Sequence, residues 1–229
     1  MKKTIGIILR ESYKNDDIPL YAFRRDLLPF LRKYDVNVIS IPVMFENPEE
    51  FSKIKEIVDF CNGIIFPGGA EMKDIDYQLM EYLYEIDKPT LGICLGMQIM
   101  GKTFNGKRRT KIEKENHVSN DKYVHNIIIK KDSLLYQIIG EEKIKVNSRH
   151  RNQVPNTTLD CVAYSEDNVL EAIEDKNKKF FLGVQWHPES LMEDVYSNKL
   201  FDYFIEKLLI EDLKLLISLF QKSQFKLKD

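Results

Sequence analysis

The chain has 229 residues, 43% of them hydrophobic, which is enough apolar material for one sizeable packed core and argues against disorder. Its 34 Lys and Arg residues nearly balance its 36 Asp and Glu residues, so no overall charge favours binding to nucleic acid or to an anionic membrane. The three sparse cysteines, Cys61, Cys94 and Cys161, argue against a disulfide framework and predict a cytoplasmic protein.

Short apolar runs alternate with stretches of helical periodicity along the first hundred residues. The apolar runs predict strands at Ile5–Leu9, Val36–Val43, Gly63–Phe66 and Pro89–Ile93. The periodic stretches predict helices at Tyr21–Lys33, Pro48–Asn62, Asp74–Ile86 and from Leu95 onward. Strands that alternate with helices indicate βαβ units, and therefore an α/β fold with a parallel sheet covered on both faces.

The second half of the chain is rich in strands, with little helix before about Asp194. Strand-like segments recur at Val124–Ile129, Val146–Asn147, Leu159–Tyr164, Val169–Ile173 and Phe180–Val184. Because no linker or repeat interrupts the pattern, we predict one catalytic domain over 1–204, followed by an amphipathic helical extension over 205–229. Six of the eight residues in Leu213–Phe220 are apolar, so we expect this extension to dock on the body of the protein or on another subunit.

The segment Gly92–Gly96 places Cys94 between two glycines, directly after a predicted strand and before a predicted helix. Glycines on both sides permit the sharp turn that projects a nucleophile from the carboxyl edge of a sheet. The N-terminus of the following helix favours the thiolate, and the N–H of Leu95 points to the place where an oxyanion would form. The alternative is a buried structural cysteine, and this is the interpretation we give to Cys61 and Cys161, which have no such glycines.

A nucleophilic cysteine needs a base, and His187 is the best placed of the four histidines. It follows the predicted strand Phe180–Val184 and precedes Pro188, and Glu189 lies two residues beyond it. A carboxylate in that position can orient the imidazole and stabilise its protonated form. The sequence His187-Pro188-Glu189 alone could equally be a surface turn, and it is the order Cys, His, Glu at strand ends that favours a catalytic triad.

Together, three motifs resemble the class I glutamine amidotransferase family. They are Phe66-Pro67-Gly68-Gly69, Gly92-Ile93-Cys94-Leu95-Gly96-Met97-Gln98 and Gly183-Val184-Gln185-Trp186-His187-Pro188-Glu189. The resemblance covers Ile5 to about Phe204. It implies a flavodoxin-like, three-layer fold with a mostly parallel central sheet. It also implies a triad of Cys94, His187 and Glu189.

The resemblance also implies residues that contact the substrate. The oxyanion hole would use the N–H of Leu95 with that of Gly68 or Gly69, and Gln98 would help to bind the glutamyl group, although it could also be a solvent-facing helix residue. The Val146–His150 stretch is similar to the stand-alone γ-glutamyl hydrolase branch, which includes γ-glutamyl-γ-aminobutyrate hydrolase. That likeness implies that Ser148, Arg149 and His150 lie near the glutamyl group. His150 could instead be structural.

The leading hypothesis is a hydrolase that cleaves the γ-glutamyl amide bond of a small molecule through a thioester on Cys94. The main alternative is a glutaminase subunit that supplies ammonia to a separate synthase. A non-catalytic protein of the same fold and a cysteine-elbow protein of the glyoxalase or chaperone type are further alternatives, which the intact triad disfavours. We predict no cofactor, because the spacing of the histidines and cysteines indicates no metal site. The expected partner is a small γ-glutamyl substrate, with self-association or a synthase partner as options.

The basic run Lys107–Lys111 follows the helix that begins at the nucleophile. Runs of like charge usually form solvated loops. The functional alternative is a contact to an anionic leaving group.

Overall fold

A computed structural model describes residues 2–13, 19–43, 48–106, 109–113 and 117–208. Within these ranges the protein is built on a nine-stranded sheet with helices on both faces. None of the helices in the described part has the length and apolarity that a membrane crossing needs. The predicted extension beyond Leu208, and two residues of the basic run, lie outside the described residues.

The nine-stranded sheet is mixed, with four parallel and four antiparallel pairings. Its parallel half contains, in spatial order, β4 (Val36–Ile41), β1 (Lys3–Ile8), β5 (Gly63–Phe66), β6 (Thr90–Ile93) and β13 (Phe181–Val184). Its antiparallel half continues from β13 with β12 (Leu170–Glu174), β11 (Asp160–Ser165), β8 (His125–Ile129) and β9 (Lys143–Val146). The predicted α/β class with a strand-rich second half is confirmed.

Two apolar clusters, one on each face of the sheet, form the core. One face is covered by α1 (Leu27–Leu31), α5 (Leu134–Ile139) and α6, a helix over 195–208. The other face is covered by α2 (Pro48–Phe60), α3 (Asp74–Glu85) and α4 (Leu95–Thr103). Strands β1, β5, β6 and β13 are buried along their whole length, as expected for parallel strands between two helical layers.

Helix α6 crosses residue 204, where the catalytic domain was predicted to end. Phe204, Ile205 and Leu208 are all buried in the core cluster on that face. The first residues of the predicted extension therefore belong to the packed body. The division of the chain at this point stays a prediction for the residues beyond.

The predicted helix over Tyr21–Lys33 is shorter in the structure. Its first residues belong instead to β3 (Pro19–Ala22), which forms an antiparallel ladder with β2 (Arg10–Tyr13), and only Leu27–Leu31 is helical. The reason is Pro29, which lacks an N–H and would clash with the carbonyl of Arg25 if the helix began at Tyr21. Proline is tolerated in the first turn, where the observed helix has it.

Two further elements were not predicted. Helix α5 is short, and the Ser133 hydroxyl caps it by accepting a hydrogen bond from the N–H of Tyr136 at 3.0 Å. A two-stranded ladder joins β7 (Thr110–Lys111) to β10 (Asn152–Gln153). Part of the predicted basic run is thus paired backbone rather than a free loop.

Candidate active site

Cys94 sits at the sharp turn between β6 and α4. Its backbone has φ 52° and ψ −101°, a left-handed conformation that is strained for a residue other than glycine. The turn is crowded: a Cβ atom on Gly96 would lie 2.1 Å from the carbonyl oxygen of Phe66. Glycine is therefore required at position 96, and the strained turn presents the Cys94 thiol at the carboxyl edge of the parallel strands.

His187 reaches the same edge from the neighbouring strand. Because β6 and β13 are adjacent and parallel, the segments that follow them leave the sheet side by side. His187 Nδ1 lies 2.6 Å from Glu189 Oε1, and both side chains are almost fully buried. Glu189 lies in a single 3₁₀ turn, Pro188–Ser190, that bends the chain back toward the imidazole. With Nδ1 held by the carboxylate, Nε2 is the nitrogen left for the thiol.

The electrostatics of this group favour the protonated form of His187. Burial lowers the pKa of His187, but the negative charges of Glu189 and of the Cys94 thiolate, with the hydrogen bonds to both, outweigh it and raise the pKa to about 10. The imidazolium that would protonate a leaving amine is therefore stable at neutral pH. Cys61 has the opposite environment, since burial raises the pKa of its thiol to about 11 and Lys88 offsets this only in part.

Asn147 fixes the backbone of His187, a role that the sequence did not reveal. Its amide donates to the carbonyl of His187 at 2.8 Å, and its side-chain oxygen accepts from the N–H of His187 at 2.8 Å. Asn147 is completely buried. The predicted Val146–His150 motif contained this residue, but the pairing joins positions forty residues apart, which linear spacing does not show.

Gly68 and Gly69 differ in their distance from the nucleophile. A Cβ atom on Gly68 would lie 2.7 Å from His187 Cε1 and 3.5 Å from Cys94 Cβ, whereas one on Gly69 would meet Leu95 and Arg10. Gly68 is thus the glycine whose backbone lies against both Cys94 and His187. The first N–H groups of α4, beginning with Leu95, have no partner within the helix and can serve an oxyanion there.

Comparison of the sequence with protein-family models identifies the family of this chain. A family model described as Peptidase C26 matches residues 71–189, about half of the chain, and this segment contains all three members of the predicted triad, Cys94, His187 and Glu189. The chain belongs to the peptidase C26 family. The predicted resemblance to class I glutamine amidotransferases is confirmed, and the family supports an amidohydrolase of that type.

Two relatives and one solved structure illustrate the likeness. A glutamine amidotransferase-like protein of Rickettsia prowazekii is 26% identical, with 86% of this chain and 92% of that protein covered. One of the subunits of a glutamine-hydrolysing GMP synthase of Methanothrix thermoacetophila is 31% identical over 67% of this chain and 79% of its own length. The crystal structure of a GMP synthase subunit from Thermoplasma acidophilum superposes with a TM-score of 0.70 at 18% identity, covering 94% of this chain and 98% of that one, and shows the shared fold.

In this peptidase C26 protein, a cleft of about 620 Å³ opens above Cys94 and His187. The hairpin of β2 and β3 forms one wall, and the segment that leads into α3 forms another. Its lining carries both signs of charge, from Arg10, Glu11, Arg24, Glu71, Lys73, Asp76 and Arg149.

The residues predicted to contact the substrate separate into two groups. Arg149 lines the cleft together with Gly68 and Gly69. Gln98 is buried and donates to the carbonyl of Asn152 at 2.8 Å and to Gln185, so it neither faces solvent nor lines the cleft. Ser148 and His150 are also buried outside the lining. Whether any of these residues binds substrate stays a prediction.

The two other cysteines lie away from the site. Cys61 is buried in the core, whereas Cys161 is only partly buried at the edge of the same apolar cluster. Neither lines the cleft.

Proposed function

We propose that this chain hydrolyses the amide bond of a small γ-glutamyl compound and releases glutamate and an amine. The observation that carries the proposal is the placement of Cys94 and His187 in the lining of a charged cleft, with Glu189 holding His187 from behind. The volume of the cleft, about 620 Å³, suits a ligand of a few tens of atoms. A γ-glutamyl group carries an ammonium and a carboxylate on its α-carbon, two methylene groups away from the carbonyl of the scissile amide, and the lining of the cleft offers charges of both signs.

The reaction proceeds in two halves. The Cys94 thiolate attacks the γ-carbonyl carbon, and the carbonyl oxygen takes up negative charge facing the backbone N–H groups of Gly68 and Leu95. The carbon–nitrogen bond then breaks as His187 gives its Nε2 proton to the departing amine, which leaves a γ-glutamyl thioester. Water, deprotonated by the now neutral His187, attacks the thioester, and the carbon–sulfur bond breaks to release glutamate.

Arg149 is the cationic side chain that we assign to the carboxylate of the substrate. It lines the cleft beside His187, and its guanidinium donates to the hydroxyl of Ser190 at 2.8 Å. That hydroxyl donates to Asp26 at 2.9 Å, and Asp26 also pairs with Arg24 at 2.7 Å. The chain of contacts holds one guanidinium nitrogen and leaves the remaining donors of Arg149 to the cleft.

We expect Arg149→Gln to raise KM for the substrate by roughly 10- to 100-fold, because one charge-assisted hydrogen bond is worth about 1.5–3 kcal/mol. The value of kcat should change little, since the contact is present equally in the ground state and the transition state. Arg151→Gln is the matched control, because Arg151 is exposed and lies outside the cleft lining. Equal KM values for both variants in steady-state assays would remove Arg149 from substrate binding.

The substrate class is tested by a mass-spectrometric screen of γ-glutamyl amides, with free glutamine included. We expect the purified chain, without a partner, to release glutamate from at least one γ-glutamyl amide faster than from glutamine. The reason is that contacts between the protein and a larger amine leaving group can stabilise the transition state, whereas the leaving group of glutamine is only ammonia. The Cys94→Ala variant supplies the blank for contaminating hydrolases.

A second function is favoured by one comparison. The relative from Methanothrix thermoacetophila is described as one subunit of a glutamine-hydrolysing GMP synthase, so a glutaminase subunit that passes ammonia to a separate synthase is the alternative. Negligible hydrolysis of every γ-glutamyl amide by the chain alone, with glutaminase activity on addition of a second protein, would favour that alternative. The triad has the same role in both.

A further inference from the structure

Three histidines and one glutamate converge in the antiparallel half of the molecule. Oε1 of Glu171, on β12, lies 3.1 Å from His125 Nε2, 3.4 Å from His150 Nε2 and 3.7 Å from His117 Nδ1. His117 Nδ1 and His150 Nε2 are 3.3 Å apart. The Glu171 carboxylate is completely buried, and neither of its oxygens has a well-aligned hydrogen bond in the described part of the protein.

The outer nitrogens of two of these rings are already engaged. His117 Nε2 lies 3.1 Å from a carboxylate oxygen of Asp167, and His150 Nδ1 lies 3.3 Å from the carbonyl oxygen of Asn152. Both acceptors require a proton on the ring nitrogen that faces them. In the neutral rings, His117 Nδ1 and His150 Nε2 then present lone pairs to each other and to Glu171.

Lone pairs so close together repel unless a cation lies between them. The distances match a metal site, because ligands about 2.05 Å from a tetrahedral zinc ion are about 3.3 Å apart. The outer hydrogen bonds to a carboxylate and a carbonyl match the second shell that orients metal-binding histidines. A shared proton is the competing occupant.

We propose that His117, His125 and Glu171 bind a divalent transition-metal ion, with His150 in reach as a fourth ligand. One donor atom from each of the first three residues lies within 4.8 Å of the others. Imidazole nitrogen and carboxylate oxygen are the ligands that zinc and its neighbours in the first transition row accept. The ligands come from positions 117, 125, 150 and 171, so linear spacing indicated no metal site.

The proposed site is connected to the catalytic base through the backbone. The N–H of His150 and the hydroxyl of Ser148 both donate to the carbonyl of His117, at 2.9 Å and 2.8 Å. Asn147, one residue earlier, holds His187. The N–H of Gln185, two residues before His187, donates to the carbonyl of Glu171 at 2.8 Å. We assign the metal a structural role, in which it braces the segments that position His187.

The test uses Zn²⁺ and Co²⁺ on the full chain carrying Cys94→Ala, since a thiolate beside a histidine can itself bind these ions. After incubation with each ion and desalting, we expect about one metal per chain. Bound Co²⁺ should show the intense visible absorption of four-coordinate cobalt. The melting temperature should rise by roughly 5–10 °C at a Zn²⁺ concentration about 100-fold above Kd.

Ligand variants locate the ion. His125→Gln should lose retained metal and the cobalt spectrum, and Glu171→Gln should do the same where it folds. Glu166→Gln is the matched control, because Glu166 is an exposed carboxylate paired with Lys143 at 2.6 Å and is absent from the cluster. It should retain metal in full.

Three results would overturn the proposal: no retained metal with an unchanged melting temperature, a Co²⁺ spectrum of the hydrated ion, or full metal retention in His125→Gln. The first of these would assign the central position to a shared proton. None depends on hydrolysis, so failure of the metal proposal and failure of the proposed function can be told apart.

Discussion

Cys94→Ala is expected to abolish hydrolysis of the γ-glutamyl amide while the protein stays folded. Removal of the nucleophile of a triad costs on the order of 10⁴-fold or more in turnover, because no covalent intermediate can form. Alanine accepts the positive φ of this turn no worse than cysteine does, since both have a Cβ atom. The loss should therefore appear in kcat, with little change in circular dichroism or melting temperature.

Cys61→Ala is the matched control. Cys61 is buried, and its sulfur packs against Gly6, since a Cβ atom at Gly6 would lie only 3.0 Å from Cys61 Sγ. Removal of this sulfur therefore leaves a void in the core and not in the site. This variant should melt at a lower temperature and keep near-normal turnover. Near-normal turnover in Cys94→Ala would instead rule out the proposed mechanism.

Alkylation gives a second readout on the same thiol. Brief treatment with iodoacetamide at neutral pH should modify Cys94 before Cys61, because the thiolate is the reactive form and burial raises the pKa of Cys61 to about 11. Peptide mapping measures the order of modification.

The parallel half of the fold could be predicted from sequence because its signals are local. The apolar runs of β1, β5, β6 and β13 lie within one or two residues of their predicted bounds. The need for glycine near Cys94 is also visible in the local sequence, since the turn between β6 and α4 leaves no room for a Cβ atom at Gly96. The triad members share one edge because parallel strands end together.

The rest depends on contacts between distant parts of the chain. The helical spacing of Tyr21–Lys33 predicts a helix that begins within β3, at Tyr21, whereas the structure pairs this part of β3 with β2; only the position of Pro29 argues against the longer helix. The polar pairings are even harder to predict from sequence. Asn147 pairs with His187 across forty residues, and Glu171 contacts three histidines from three separate segments. The alternative that Gln98 faces solvent is wrong, because its side chain is buried against Gln185 and Asn152.

Substitution of His187, the proposed catalytic base, is expected to cause the second large loss of activity. His187→Asn should lower kcat by about 10⁴-fold or more, because it removes both the partner of the thiolate and the proton donor for the amine. Glu189→Gln should cost about one to two orders of magnitude less, since glutamine can still orient the ring but carries no charge. Activity that survived His187→Asn and vanished in His150→Gln would show that His150, and not His187, is the base.

The pH dependence separates a catalytic role of Glu189 from a merely structural one. Burial lowers the pKa of His187, and the charges of Glu189 and Cys94 raise it further than burial lowers it, to about 10. The raised value lies above that of the unfolded chain, so the imidazolium stabilises the folded state fully below pH about 6.5 and this contribution is lost as pH rises through about 10. The imidazolium that protonates the leaving amine is lost over the same range. The wild-type rate should therefore fall at high pH.

In Glu189→Gln the largest of the raising influences on the pKa of His187 is gone. The alkaline fall of kcat/KM should therefore move to lower pH, and the pH above which the melting temperature declines should move in the same direction. A profile of kcat/KM and melting temperature between pH 6 and pH 11 measures both, with Glu193→Gln as the control because Glu193 is exposed and pairs only with the exposed Lys122 in the described residues. A Glu189→Gln enzyme that is slower but has the wild-type alkaline limb would mean that the carboxylate positions the ring and does not tune its charge.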